Sequence, residues 1–406
     1  MGMQSVDELP ALDSAQELAR LATGRWSLLH CLSERLLPRR TPFWARLAQP
    51  YVVGVGLSFA LPCVLGLCDP GFSWGLGGQC PELGFFTDPS TLFMSLVTFP
   101  VTLTFLLVED RGIAEGLSAV AGSGAVTLDR DAAFRLRGVW ASRYRKANVA
   151  GQLLGAVVGV GASVVNYLVL SEMNSPRWQF SGSRLTMPGL YSFWVYQPLF
   201  WFVLVVYCVR SIMKAGLLRS VGRESAVSVQ ALHEDGAGGL APVGTSCLWT
   251  HAILVVFALN ILLFWVNTIM VPEAVPGRLG RVLALIAAYV VLCPFAFFVP
   301  LLPFHRQMRR VKSDQVRMVT DARREEYERS MVRLPRGSVD DHNGISLSTL
   351  RDLAAIADDL PVWPVNTGTV RRFVGMYLLP ILAFVGSLLG KYVVALLLSV
   401  SSGGSG

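Results

Sequence analysis

The sequence predicts an all-α membrane protein with seven transmembrane helices, and three observations carry that class. Of 406 residues, 52 % are hydrophobic and 16 % are charged, where soluble domains carry about 25 % charged residues. Apolar runs recur at lengths that cross a hydrocarbon core of about 30 Å when wound at about 1.5 Å per residue. Lysine and arginine alternate between loops. The inner-side segments hold 29 of them and the opposite loops only Arg177, Arg184 and Arg278. By the positive-inside rule the N-terminus is cytoplasmic and, with an odd number of spans, the C-terminus is outside. A multi-pass protein of the cell (inner) membrane is expected, with the lipid bilayer as its first partner.

The segment 1–46 precedes the first span and shows no secretory signal. Within it, Ser14 to Leu37 reads as an amphipathic helix, with Leu18, Leu21, Leu28, Leu29 and Leu32 set among Arg20, Arg25 and Arg35. Residues 47–303 hold six apolar runs: about Pro50–Leu67, Leu92–Val108, Val149–Leu170, Leu190–Ile212, Leu248–Val271 and Val282–Leu302. In the third, Gly151, Gly155 and Gly159 recur every fourth residue, a stripe that lets helices approach closely.

Residues 304–372 form the largest soluble piece. His305 to Arg333 lacks Gly and Pro and is dense in charge, so it reads as a solvated helix continuing out of span six. A break at Pro335, Gly337 and Asp340 to Asn343 precedes a second helix, about Ser346 to Asp359, with Leu350, Leu353, Ile356 and Leu360 at helical spacing. Two prolines around Trp363 set an extended elbow before the last span.

That last span, Phe373 to Val400, is 28 residues long with one charge, Lys391. A straight helix of that length measures about 42 Å, so it must tilt, project or break. Pro380 and the Gly386/Gly390 pair are its candidate break points. Residues 401–406, SSGGSG, read as a flexible linker.

Among chemical motifs, ALHEDGAGGLAPVG (231–244) is the most distinctive. A tight turn, with His233 and Asp235 capping backbone and glycines permitting positive φ, is the leading reading. A regulatory ligand site at His233, Glu234, Asp235, Gly236, Gly238 and Gly239 is the alternative. The motif lacks the Lys and Ser/Thr of a P-loop. Cys68 and Cys80 flank one outer segment and are a candidate disulfide. The five histidines form no metal-ligand spacing, and no nucleophile motif occurs. No enzyme, cofactor, metal or nucleic-acid role is expected.

The runs YQPLFWFVLVVYCVRSI (196–212), LHEDGAGGL (232–240) and DLPVWPV (359–365) resemble a family of uncharacterised bacterial polytopic membrane proteins. These carry an H-P-D-x-x-G-G-L motif and an L-P-x-W-P motif, with Glu234 here standing where that family has Pro. The resemblance covers about half the chain; it implies a shared role for the two loops and no established activity. Seven spans, an inner N-terminus and a long inner loop before span seven also resemble insect chemoreceptor ion channels, at the level of architecture. That likeness implies a homo-oligomer with the last helix lining a central pore. The leading expectation is therefore an ion channel with Gly386, Ser387, Gly390 and Lys391 as pore-lining candidates and an unknown ligand. A transporter or small-molecule receptor with a cavity inside one subunit, or a non-catalytic scaffold, are the alternatives.

Overall fold

The computed structural model describes residues 43–75, 84–172, 177–231, 233–270, 278–333 and 347–403. It is 82 % helical, and seven helices are long and apolar enough to cross a membrane. The predicted helix at 14–37, the loop break at 335–343 and Cys80 lie outside the described residues. Cys68 is exposed at the end of the first span.

Span one is α1 (Phe43–Val55), a π turn (Gly56–Ala60) and α2 (Leu61–Leu67). Span two is α3 (Pro89–Phe93), a π turn (Met94–Thr98) and α4 (Phe99–Gly122). Span three lies within α5 (Arg130–Glu172), whose 43 residues reach well past the bilayer. Span four is α6 (Met187–Tyr191), a π turn (Ser192–Tyr196) and α7 (Gln197–Glu224). Span five is in α8 (Ala241–Met270). Span six begins in α9 (Arg278–Phe298) and passes through a 3-10 turn at Val299–Leu301 into α10 (Leu302–Arg333). Helix α11 (Leu347–Asp358) packs on α10, and α12 (Thr367–Gly403) is the last span.

The glycine stripe in α5 makes the longest seam of the bundle. A Cβ at Gly151 would lie 3.2 Å from Val209, at Gly155 3.1 Å from Phe202, and at Gly159 2.5 Å from the Pro198 carbonyl oxygen. Side chains at those positions would prise α5 from α7, so the small residues set the interhelical distance.

Two ends of the bundle differ in chemistry. At the arginine-rich end, β1 (Val126–Thr127) pairs antiparallel with β4 (Ala226–Val227), tying the α4–α5 and α7–α8 connections together. Ile113, Trp140, Leu217, Leu240, Phe304 and Leu360 bury one continuous core there. At the other end a short hairpin, β2 (Phe180–Ser181) with β3 (Arg184–Leu185), lies over an aromatic cluster of Phe72, Phe85 and Trp178.

One expectation is corrected. Helix α12 does not break at Pro380: it runs unbroken for 37 residues with Pro380 inside it. A proline removes one backbone N–H and leaves the rest of the ladder intact. In a membrane, where an interrupted backbone has no water to turn to, a single lost bond costs less than an opened turn.

Candidate functional site

The α7–α8 connection organises the site. Asp235 accepts at Oδ1 from the backbone N–H of Ala237 (2.9 Å) and Gly239 (3.0 Å), and at Oδ2 from that of Ala241 (3.0 Å). Ala241 is the first residue of α8, so one carboxylate closes the turn and satisfies the first donor of the helix. Gly236, Gly238 and Gly239 all have positive φ, at 64°, 66° and 91°, a conformation in which a side chain is strained. The expected tight turn, capped by Asp235 and with glycines at positive φ, is present. Glu234 is exposed.

His233 Nδ1 lies 2.9 Å from Asp235 Oδ1 and 3.3 Å from the Asp235 backbone N. A single ring nitrogen carries a proton or a lone pair, not both. The shorter contact, to a carboxylate, assigns the proton to Nδ1. Burial favours the neutral form of Asp235, but the three N–H donors and His233 outweigh it, and its carboxyl sits below the ordinary value of 3.8.

The same turn meets the LPVWP elbow. Asn366 Nδ2 donates to the Asp235 carbonyl at 3.2 Å, and a Cβ at Gly244 would come within 2.5 Å of the Pro364 carbonyl oxygen. The elbow is itself pinned from α10: His305 stacks on Trp363 at 4.0 Å and its Nδ1 lies 2.6 Å from the Val362 carbonyl. Lys312 Nζ donates to the Leu360 and Asp358 carbonyls.

Beside this turn a cavity of about 1040 Å³ opens among α1, α4 and α8. Tyr51, Val101, Phe105, Val108 and Trp249 form its apolar walls, and His233 and Asp235 reach it from the turn. Its remaining charged pair is Lys214 with Glu109. Lys214 Nζ donates to Glu109 Oε1 at 2.9 Å, to Thr250 Oγ1 at 2.9 Å and to the Ser246 carbonyl at 3.0 Å, which uses all three ammonium protons. The side chains are 5 % and 7 % exposed. Among the described residues Glu109 takes only this bond, so it keeps acceptor capacity on a cavity wall.

Of the other sequence candidates, Gly386 and Gly390 do not line this cavity. Gly386 and Gly390 lie on the exposed surface of α12 with nothing within 4 Å of a built Cβ. Ser387 and Lys391 are on the same helix, and their side chains fall outside the described residues. The Lys214–Glu109 pair is what sequence reading missed. Lys214 counts there as a topology charge and Glu109 as a span edge; the one available signal is that both stand at the same, arginine-rich end of spans two and four. No protein-family model, curated protein or solved structure matches the chain.

Proposed function

We propose that this multi-pass protein of the cell membrane binds an amphiphile in the cavity among α1, α4 and α8, as a receptor or transporter for it and without chemical turnover. The observation that carries this reading is the buried Lys214–Glu109 pair on the wall of a cavity of about 1040 Å³. Ligand sites commonly measure about 300–1,000 Å³ and combine apolar walls with a few convergent polar groups. Ionisable groups held within a membrane are costly and mark functional positions. Spare acceptors on Glu109 suit a hydrogen-bond-donating head such as an amine or hydroxyl, with the apolar body against Phe105 and Trp249. The positive-inside rule supports a cytoplasmic placement of the arginine-rich end, and with it of the HEDGAGGL turn.

The resemblance to bacterial membrane proteins with paired H-P-D-x-x-G-G-L and L-P-x-W-P motifs fits the same reading. The contact from Asn366 to Asp235 supports a joint role for the two loops at the cavity mouth.

The test uses the full chain in detergent with a photoreactive long-chain amine and a matched long-chain alcohol. Crosslinks confined to α4 and α8, and lost in Trp249→Ala and Glu109→Gln, support the reading. Labelling spread evenly over every lipid-facing helix removes it.

A second reading is an ion channel made by several copies, with α12 lining the pore at Gly386, Ser387, Gly390 and Lys391. It is favoured by one observation: α12 exposes Leu378, Leu382, Val385 and Leu389 together with the two glycines, a face free for another copy.

A further inference from the structure

The solvated part of α10 matches its charges unevenly. Between Arg317 and Arg329 it holds four arginines and four acids. Arg317 pairs with Asp321 at 3.7 Å and Arg324 with Glu328 at 3.1 Å; Arg329 takes both Glu325 at 3.1 Å and Glu326 at 3.5 Å. All four acids are thus engaged by arginines three or four positions away, the ordinary pattern of a solvated helix. Arg323 is left over. It has no hydrogen-bond or ion-pair partner among the described residues.

Arg323 lines a cavity of about 580 Å³ between α10 and α11, together with Thr320, Arg324 and Tyr327 of α10 and Ser348 and Arg351 of α11. Their spacing brings them there: 320, 323, 324 and 327 share one face of α10, and 348 and 351 one face of α11. Arg351 is the one arginine of α11, and it too has no partner among the described residues. Arg324 gives only its Nε to Glu328, which leaves the N–H donors of its two Nη atoms. Three guanidinium groups from two helices therefore line one cleft, and among the described residues no carboxylate lines it. A single arginine on an open face can rest in water. Three drawn into one cleft repel each other there unless an anion joins them.

From this convergence we infer that the cleft between α10 and α11 binds a phosphate-bearing small molecule. Planar guanidinium groups meet phosphate oxygens in paired, charge-assisted hydrogen bonds, which is why arginine clusters recognise that group. The volume falls within the range of about 300–1,000 Å³ common to ligand sites, so phosphate carried on an organic group fits better than a bare ion. Tyr327, 54 % exposed, offers a flat apolar face beside the arginines for that group. Thr320 stands eighteen residues past Leu302, where α10 begins, a reach of about 27 Å along a straight helix. That distance favours a soluble phosphate over a lipid headgroup. None of the six residues lines the large cavity among α1, α4 and α8, so this site is separate from the one proposed for the amphiphile.

Isothermal titration calorimetry on the purified full chain in detergent tests this, with pyrophosphate, ATP, adenosine and a water-soluble short-chain phosphatidylinositol phosphate as probes. Saturable binding of ATP or pyrophosphate is expected, and none of adenosine. Arg323→Gln and Arg351→Gln should each weaken it at least tenfold while keeping the wild-type elution volume. Arg310→Gln, on the same helix and outside the cleft, should leave it unchanged, which separates a site from diffuse attraction to a basic helix. Binding of the lipid probe alone, lost in the same two variants, supports the phosphate site and assigns it to a headgroup. No saturable binding of any phosphate probe to the wild type overturns the inference. Equal weakening in Arg310→Gln, or full binding in both cleft variants, overturns it as well.

Discussion

Lys214 Nζ and Glu109 Oε1 stand 2.9 Å apart, 105 residues apart in sequence, at the wall of the large cavity and almost out of solvent. Charges so placed lose hydration that their mutual attraction only partly restores, and the pair persists because Ser246 and Thr250 take the remaining ammonium protons. A pair held for packing alone would be replaceable by apolar residues at little cost to stability and none to ligand binding.

That distinction gives the first prediction. Lys214→Met leaves Glu109 buried and unpaired, and should destabilise the protein by about 3–5 kcal/mol. The double variant Lys214→Met/Glu109→Leu should recover most of that loss while losing amphiphile labelling. Thermal unfolding of both variants in detergent, read beside labelling, separates the structural part from the functional one. A double variant that keeps full labelling would show that the pair is not part of the binding site.

The α5–α7 seam gives the second. A Cβ at Gly159 would meet the Pro198 carbonyl oxygen at 2.5 Å, whereas at Gly161, two residues on, nothing lies within 4 Å. Backbone cannot rotate away as a side chain can, so Gly159→Ala should cost about 1–3 kcal/mol. Gly161→Ala should be neutral or slightly stabilising, since alanine is the better helix former. Equal melting temperatures for the two variants would refute a close seam at this position.

How much of this was legible in sequence depends on how local each signal is. The seven spans follow from apolar runs, and the glycine stripe from its four-residue period, because both are properties of one helix. The HEDGAGGL turn is readable for the same reason: Asp235 bonds to residues two, four and six positions away. The Lys214–Glu109 pair is not, since it depends on how α4 packs on α7. The π turns escape periodicity altogether, because a one-residue slip inside a continuous apolar run leaves the composition unchanged. Pro380, one of the candidate break points of a helix expected to tilt, project or break, lies inside a helix that continues through it.

The last helix separates the two functional readings. If α12 lines a pore shared between copies, the detergent-purified protein should be a symmetric oligomer, and Lys391→Ala should change ion flux or its selectivity in liposomes. If the cavity within one chain is the working site, a monomer should retain amphiphile binding. Light scattering of the purified protein decides the first point. A strict monomer with full binding eliminates the shared pore.

The final prediction concerns pH. Asp235 is held below its ordinary value of 3.8 in the folded protein, burial being outweighed by three backbone N–H groups and His233. A group whose folded pKa is depressed contributes its stability above the unfolded value and loses it as pH falls toward the folded one. The turn should therefore hold at full strength at neutral pH and weaken below about pH 4, where protonation converts an acceptor-only carboxylate into a poorer one. Asp235→Asn removes the titration and one acceptor oxygen together. It should lower the melting temperature at neutral pH, where loss of a helix cap costs about 0.5–2 kcal/mol. It should also flatten the difference between wild type and variant as pH falls through that window. Asp235→Ala should cost more at neutral pH, because both acceptor oxygens are lost while the N–H groups of Ala237 and Gly239 stay buried. Melting curves of the three proteins from neutral pH down to about pH 3 check this. A gap between wild type and Asp235→Asn that stays constant across the range would show that the carboxylate charge contributes nothing to the turn.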